Sequence, residues 1–395
     1  MTRRYFTTNT LAAATATSMG VAAEQGKSTG KLRAAIIGHT GEGDYGHGLD
    51  LIFNDRDDVE VVAVADADAE GRAKAVQHSK AQRQYGDWRE LIEKEKPQLV
   101  CLASRWTHER YAMGKAALQA GAHLFTEKPF TTTLAEADEL LAAAEQSGRK
   151  IAVAHQMRLA PSVIQLKKAI DDGMIGDFLE MRAWGKQDDR AGGEDMLVLG
   201  THLFDLMRFF AGTASWCTAR VLHQGRDITK QDARPVKERI GPVAGDEISA
   251  QFGFEHGIHG TFTSRKRLRS LVGHWGIEFT GSKTKARLLA DVYPAVYLLK
   301  AGSWTPTGRT DQWHRWENDP GATVSAEERG FAVANRRLVD DWIDGIAKNR
   351  EPACSGTNAM KSIEMVMAVY HAALQNKRIS LPLNDRQHPL GGATS

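Results

Sequence analysis

Four glycines crowd the stretch Gly38-His39-Thr40-Gly41-Glu42-Gly43-Asp44-Tyr45-Gly46, directly after an apolar run. Gly41-x-Gly43-x-x-Gly46 has the spacing of a dinucleotide fingerprint, and Gly38 adds a glycine where the run ends. Glycine is needed there because the backbone must turn tightly and approach a pyrophosphate whose charge rests on the next helix. The loop is longer than the usual fingerprint, so Gly38, Thr40, Gly41, Gly43 and Gly46 are candidate cofactor contacts as a group. Asp66 stands 20 residues beyond Gly46 at the end of a second apolar run. A carboxylate there accepts ribose hydroxyls and repels a 2′-phosphate, which favours NAD over NADP. Two further residues have the chemistry to handle a hydroxyl proton. They are Lys128, in Glu127-Lys128-Pro129, and His202, at the start of an apolar helix after Gly200.

Positioning these groups calls for strands at 32–38, 59–65, 98–103, 122–126 and 151–154, alternating with helices at about 47–55, 68–79, 87–95, 107–120 and 133–147. Unbroken alternation predicts a doubly wound parallel sheet, a Rossmann fold over residues 31–155, which binds ligands at the carboxyl ends of its strands. Lys128 follows one such end and so points toward a nicotinamide. Beyond 155 the pattern changes to helices at 159–171 and 197–210. Strands follow at 178–184, 216–222, 246–254, 258–264, 275–280 and 285–290, with a hairpin turn at 255–257. The expectation is α/β overall: the Rossmann domain, then an α+β domain over 156–383 with a large, mostly antiparallel open sheet. Helices at about 326–347 and 358–376 return toward the first domain. Residues 300–325 read as a surface excursion, and the tail after 383 as mobile.

The chain resembles the glucose–fructose oxidoreductase, inositol dehydrogenase and MocA family. The likeness rests on Ser104-Arg105-Trp106-Thr107-His108, Glu127-Lys128-Pro129, Arg158-x-x-Pro161, Gly192-Gly193, Gly200-Thr201-His202-x-x-Asp205, Gly245-Asp246-Glu247 and Ser355-Gly356. It covers nearly all of 31–383. The resemblance implies that Lys128 binds the substrate hydroxyl and tunes its proton transfer, that Pro129 fixes the turn, often in cis, and that His202 lies by the reacting carbinol. Glu127, Ser104 and His108 would help hold the cofactor. Gln156, Arg158, Trp184, Lys186, Asp188 and Asp195 are candidate substrate contacts. One departure matters: dehydrogenases of this family often carry an aspartate four residues before the histidine, and this chain has Val198. Asp195 and Glu194 are the nearest acids that could substitute.

The implied activity is NAD-dependent hydride transfer at a sugar or cyclic polyol carbinol. The alternatives are a redox-neutral NAD-dependent glycosidase and a sugar-binding sensor that keeps NAD as a structural part. A carbohydrate is the expected partner, and the resemblance implies a homo-oligomer formed through the open sheet face. Hydrophobic residues are 42% and charged residues 25% of 395, ordinary globular composition, and no run beyond the N-terminus is apolar enough to span a membrane. Arg3-Arg4 before a weakly apolar stretch resembles a twin-arginine export signal over 1–23, placing the mature protein in the periplasm. Its removal takes the formal charge from +2 to zero, which leaves no electrostatic footprint for nucleic acid. The run Arg265-Lys266-Arg267-x-Arg269 lacks interleaved aromatics. His256-x-x-His259 straddles a turn without a third ligand, and Cys101, Cys217 and Cys354 have neither disulfide nor zinc spacing, so no metal is expected.

Overall fold

The computed structural model describes residues 30–236, 238–266, 275–299 and 312–391. The export-signal reading and residues 267 and 269 of the basic run lie outside them. Strands β1 (Leu32–Ile37), β2 (Val59–Ala65), β3 (Arg83–Tyr85), β4 (Leu99–Leu102), β5 (His123–Thr126) and β6 (Ile151–Val153) form a parallel sheet in the order β3-β2-β1-β4-β5-β6. Its inner strands are continuous apolar runs because both faces are covered. Ala35 and Ile37 of β1 pack with helices α2 (Trp88–Glu95), α3 (Arg110–Gln119) and α4 (Leu134–Ser147), while Ala34 and Ile36 face the opposite core with Ala75 of α1 (Ala69–Ser79). Local chemistry starts these helices: Asp68 and Asp87 cap α1 and α2, and Thr133 with Glu136 forms a capping box on α4. Strand β3 escapes the sequence reading because Arg83 and Gln84 are exposed at an edge.

The helix expected over 47–55 is not there. A single 3-10 turn, Leu49–Leu51, takes its place, since Gly46 and Gly48 adopt φ of +55° and +79°, outside helical geometry.

The second sheet contains β7 (Phe178–Trp184), β8 (Trp216–His223), β9 (Arg226–Asp227), β10 (Glu247–Gly253), β11 (His259–Arg265), β12 (Gly276–Gly281), β13 (Lys285–Leu289), β14 (Ala295–Leu299), β15 (Trp313–Arg315) and β16 (Ile379–Ser380). Its order is β15-β14-β13-β12-β7-β11-β10-β8-β16, with β9 on β8. The β7–β11 pairing is parallel and its neighbours are antiparallel. One face packs on α5 (Pro161–Asp171), α7 (Thr201–Ala211) and α9 (Gly356–Gln375) through residues such as Leu166, Phe204 and Val366. Short α6 (Gly193–Asp195) and a π-helical turn (Met196–Gly200) lead into α7. Helix α8 (Phe331–Ala347) returns to the first sheet, where Leu338, Val339 and Trp342 fill one face.

Two expectations are corrected. In the described part of 300–325, β15 extends the sheet, Trp316 is buried, and the Asp319 carboxylate accepts from Val296 N at 2.9 Å. The tail to residue 391 is docked: Arg386 bridges Asp138 and Glu364, and Leu390 is buried. Among the described residues, no helix is long and apolar enough to cross a membrane, and no cluster of three or more His, Cys, Asp or Glu could hold a metal.

Candidate active site

Strand β5 delivers Glu127 and Lys128 into the seam between the two sheets. Both are buried, at 0% and 6% exposure, and the Lys128–Pro129 bond is cis. Burial opposes ionisation of Glu127, but the His47 ring, at 2.6 Å from Nδ1 to Oε1, outweighs it with help from Lys128 and Arg110, and the carboxyl is held below its usual range. Burial pushes Lys128 down, partly offset by Glu127 and Glu238. Its Nζ donates to the Val198 carbonyl at 3.2 Å. Val198 thus meets the lysine through its backbone, in the π-helical turn one turn before His202. Such turns are frequent at functional sites.

His202 is 8% exposed and is held well below its ordinary pKa, chiefly by burial and then by Lys128, His155 and His47. His155, just after β6, meets it edge-on with ring centroids 5.2 Å apart. Burial brings His155 down to about 4. At the active seam both rings are therefore neutral near pH 7 and able to accept a proton.

On the nucleotide side, a cavity of about 290 Å³ lies at the carboxyl ends of β1 and β2, lined by Gly38, His39, Asp66, Trp88 and Met113 among others. Asp66 reaches this cavity, yet its carboxylate is also engaged: Thr40 donates to it from N at 3.0 Å and from Oγ1 at 2.7 Å. The glycine loop itself folds onto the loop after β4. Ser104 Oγ donates to Glu42 O at 2.6 Å and Arg105 N to Gly43 O at 3.2 Å. His108 lies 3.1 Å from the Glu42 carboxylate. A Cβ on Gly43 would sit 2.7 Å from Arg105 N, and one on Gly46 2.6 Å from Glu127 Oε1, so these glycines admit protein backbone and the site carboxylate. Thr40, Gly41, Gly43, Ser104 and His108 are brought together beside the cavity.

Other sequence candidates are held by the protein itself. Arg158 makes a bidentate pair with Asp205, Nε to Oδ2 at 2.8 Å and Nη2 to Oδ1 at 2.7 Å, and both are buried. Gln156 donates to Asn335 Oδ1 at 3.1 Å, and Asn335 donates to His47 O at 3.0 Å, linking α8 to the Glu127 network. Asp195 is fully buried and accepts from Ser264 Oγ at 2.6 Å and from the backbone of Lys186 and Gln187. Burial raises its pKa. Asp195 therefore clamps the turn after β7. Glu194 lies 3.6 Å from Arg234. Trp184 lies on the sheet face opposite buried Ala183, with the Arg287 guanidinium of β13 5.9 Å from its ring centroid, and exposed Lys186 is 3.9 Å from Asp188, whose carboxylate Arg190 holds. Sequence reasoning missed His47 and His155. Lone histidines outside a motif give no signal until tertiary contacts place them.

Comparison with known proteins bears on the fold and the family. Residues 32–155 match the profile described as "Oxidoreductase family, NAD-binding Rossmann fold", and residues 167–381 match "Oxidoreductase family, C-terminal alpha/beta domain". The D-apiose dehydrogenase of Paraburkholderia graminis is 26% identical over 357 residues, covering 87% of this chain and 88% of that protein. The levoglucosan dehydrogenase of Pseudarthrobacter phenanthrenivorans is 25% identical over 221 residues, 50% of this chain and 56% of that one. A solved levoglucosan dehydrogenase, in complex with NADH and levoglucosan, has a TM-score of 0.72 at 19% identity, covering 89% of this chain and 99% of that one; it shares the fold. The chain belongs to the glucose–fructose oxidoreductase, inositol dehydrogenase and MocA family of oxidoreductases, and its first domain is an NAD-binding Rossmann domain.

Proposed function

We propose that this oxidoreductase acts on a secondary alcohol carbon of a sugar or cyclic polyol. NAD, when bound, supplies the hydride acceptor. The observation that carries the reading is the buried Lys128 ammonium, held by one backbone carbonyl in the same seam as neutral His202. An ammonium kept there with few partners is available to donate to a substrate oxygen, and the adjacent imidazole to take the hydroxyl proton. On the nucleotide side, the adenosine-sized cavity with Asp66 at its edge fits the cofactor and favours NAD over NADP. Ser104, His108 and the 38–46 loop would hold the remainder.

The names of the D-apiose and levoglucosan dehydrogenases support a carbohydrate substrate. The test is NADH formation by purified protein with NAD and a panel of aldoses, anhydrosugars and inositols. Lys128→Ala should lower kcat about 10²- to 10⁴-fold, and His202→Ala likewise, without comparable loss of melting temperature. Normal turnover in both variants would place the chemistry elsewhere.

Val198, which offers the lysine a backbone carbonyl and no acid, favours a second reading: reducing equivalents return to the substrate, as in a redox-neutral glycosidase. Aryl glycosides that release their aglycone without NADH accumulating would establish it, whereas a bound sugar with no turnover would indicate a sensor. The reading includes export through Arg3-Arg4 and self-association through the open sheet face, where Leu179 is 49% exposed. Cell fractionation of an Arg3→Lys/Arg4→Lys variant and sedimentation test these two parts.

A further inference from the structure

His202 has no acid one turn before it, and its Nδ1 is buried without a hydrogen-bond partner. The same holds for both ring nitrogens of His155, a residue only 2% exposed. Orphaned buried nitrogens are costly, and native interiors rarely keep three together without a use for them. Their arrangement suggests that use. The two rings meet edge to face at 5.2 Å between centroids and an interplanar angle of 73°, and His155 Nδ1 lies 3.9 Å from Asp205 Oδ1. Asp205 is anchored from its other side by the bidentate grip of Arg158. A line of groups therefore runs from a fixed carboxylate, through His155, to the histidine at the reacting centre.

We propose that His155 is the positioning residue for His202, supplying through Asp205 what an acid at position 198 does not. Asp205 Oδ1 accepts from Nδ1–H of His155, Nε2 of His155 accepts from Nδ1–H of His202, and Nε2 of His202 keeps its lone pair for the substrate. The proposal rests on the alcohol-oxidation reading above. NAD, when bound, would take the hydride as the carbinol C–O becomes C=O; the hydroxyl proton goes to His202 Nε2, and Asp205 stabilises the resulting imidazolium through His155. Neither contact is a hydrogen bond in this structure; catalytic contacts commonly tighten only when substrate is seated.

Other charges bear on the pair. Lys128, Arg158 and Glu127 face His155, while Lys128 and His47 face His202, with Trp275 packed at 6.1 Å. Lys128 and Arg158 disfavour protonation of the pair, and Asp205 and Glu127 favour it at His155. The Cys354 thiol donates to the His155 carbonyl at 3.5 Å.

The test is long-range proton–nitrogen correlation on full-length protein labelled with ¹⁵N-histidine, assigned with His202→Gln and His155→Phe. The expected result is the Nδ1–H tautomer on His202 in the unaltered protein, converting mainly to Nε2–H in His155→Phe, and retained in His155→Gln, whose amide can still accept. With the sugar oxidised in the panel above, kcat of His155→Phe should fall about 10²-fold at unchanged KM, with a larger solvent isotope effect. An Nε2–H tautomer on His202 in the unaltered protein, read without any variant, overturns the proposal. So does an Nδ1–H tautomer that survives His155→Phe. Either result leaves the alcohol-oxidation reading standing, whereas a panel yielding no NADH overturns that reading whatever the tautomers show.

Discussion

Arg158 separates what a residue type suggests from what its partners allow. An arginine beyond the carboxyl edge of a sheet suits a sugar hydroxyl or an anionic group, and its type and position are all that the sequence offers. In the fold its guanidinium commits Nε and Nη2 to Asp205 and is stacked 5.0 Å from the Phe209 ring centroid. Burial works against its charge, but Asp205 more than compensates, and the guanidinium is held above its ordinary value. Removing one partner of such a pair strands a buried charge at a cost of about 3–5 kcal/mol, whereas replacing both by apolar groups can be near neutral. Arg158→Met should therefore lower chemical-denaturation stability by that amount, and Arg158→Met/Asp205→Leu should recover most of it. A fully stable Arg158→Met with a raised KM would restore the substrate role. Lys128 and Glu127 were legible because a strand end fixes where their side chains go. His47 and His155 were not, since their partners lie 80 and 50 residues away, at Glu127 and Asp205.

At the scale of elements, the five buried parallel strands were legible almost to the residue, because burial on both faces writes itself as an apolar run, whereas the exposed edge strand β3 was not. The segment after β1 was not. Its apolar spacing suggested a helix, but left-handed glycines interrupt it, and the loop is shaped by what its backbone touches. Gly41 and Gly43 make this measurable. Both have positive φ, +82° and +91°, but a Cβ on Gly41 meets nothing within 4 Å, while one on Gly43 meets the backbone of Arg105 and Trp106 at 2.7 Å. Gly41→Ala should cost only the strain of a left-handed residue, about 1 kcal/mol. Gly43→Ala adds a clash with main chain that cannot rotate away, so it should lower the melting temperature further and weaken NAD binding by calorimetry. Equal effects in the two variants would mean that the loop does not pack on the β4 connection as described.

At the scale of the whole molecule, the domains share chain: α8 fills one face of the first sheet, and α9 joins both cores. One consequence is acid sensitivity. Burial brings His123, His155 and His388 down to about 4 and His202 well below its ordinary value. Between about pH 4 and 6.5 the unfolded chain binds protons that the folded chain refuses, so stability rises with pH across that window and is lost as pH falls through it. Thermal melts from pH 7 to 4.5 should show a monotonic fall, shallower in His388→Phe.

The joined domains also bear on how the cofactor leaves. In the order β3-β2-β1-β4-β5-β6 the topological switch lies between β1 and β4, and the loops beyond those two strands wall the crevice where such sheets bind nucleotides. A segment of the second domain between β9 and β10 reaches across both loops. Arg239 O accepts from Thr107 N at 3.3 Å and Oγ1 at 3.1 Å. The Arg239 guanidinium lies 5.0 Å from the Trp106 ring centroid and 3.7 Å from Glu42 Oε1, and Arg105 faces Glu238 at 4.0 Å. The strap is anchored behind this contact, where Ile240 and Val243 are buried and Ala244 N donates to the Tyr370 hydroxyl at 3.1 Å. A nucleotide held in the crevice would have to part these contacts to escape, so release should be slow. The half-exposed ion pairs contribute little, while the cation–π contact is worth about 0.5–1 kcal/mol. Arg239→Ala should therefore speed NADH release about two- to fivefold in stopped-flow fluorescence, with much less effect on the association rate. High salt should change the unaltered rate only slightly, because the backbone hydrogen bonds remain. Release that is already fast in the unaltered protein, or unmoved by Arg239→Ala, would show that the strap does not govern cofactor exchange and would remove the support it lends to a cycle that regenerates NAD in place.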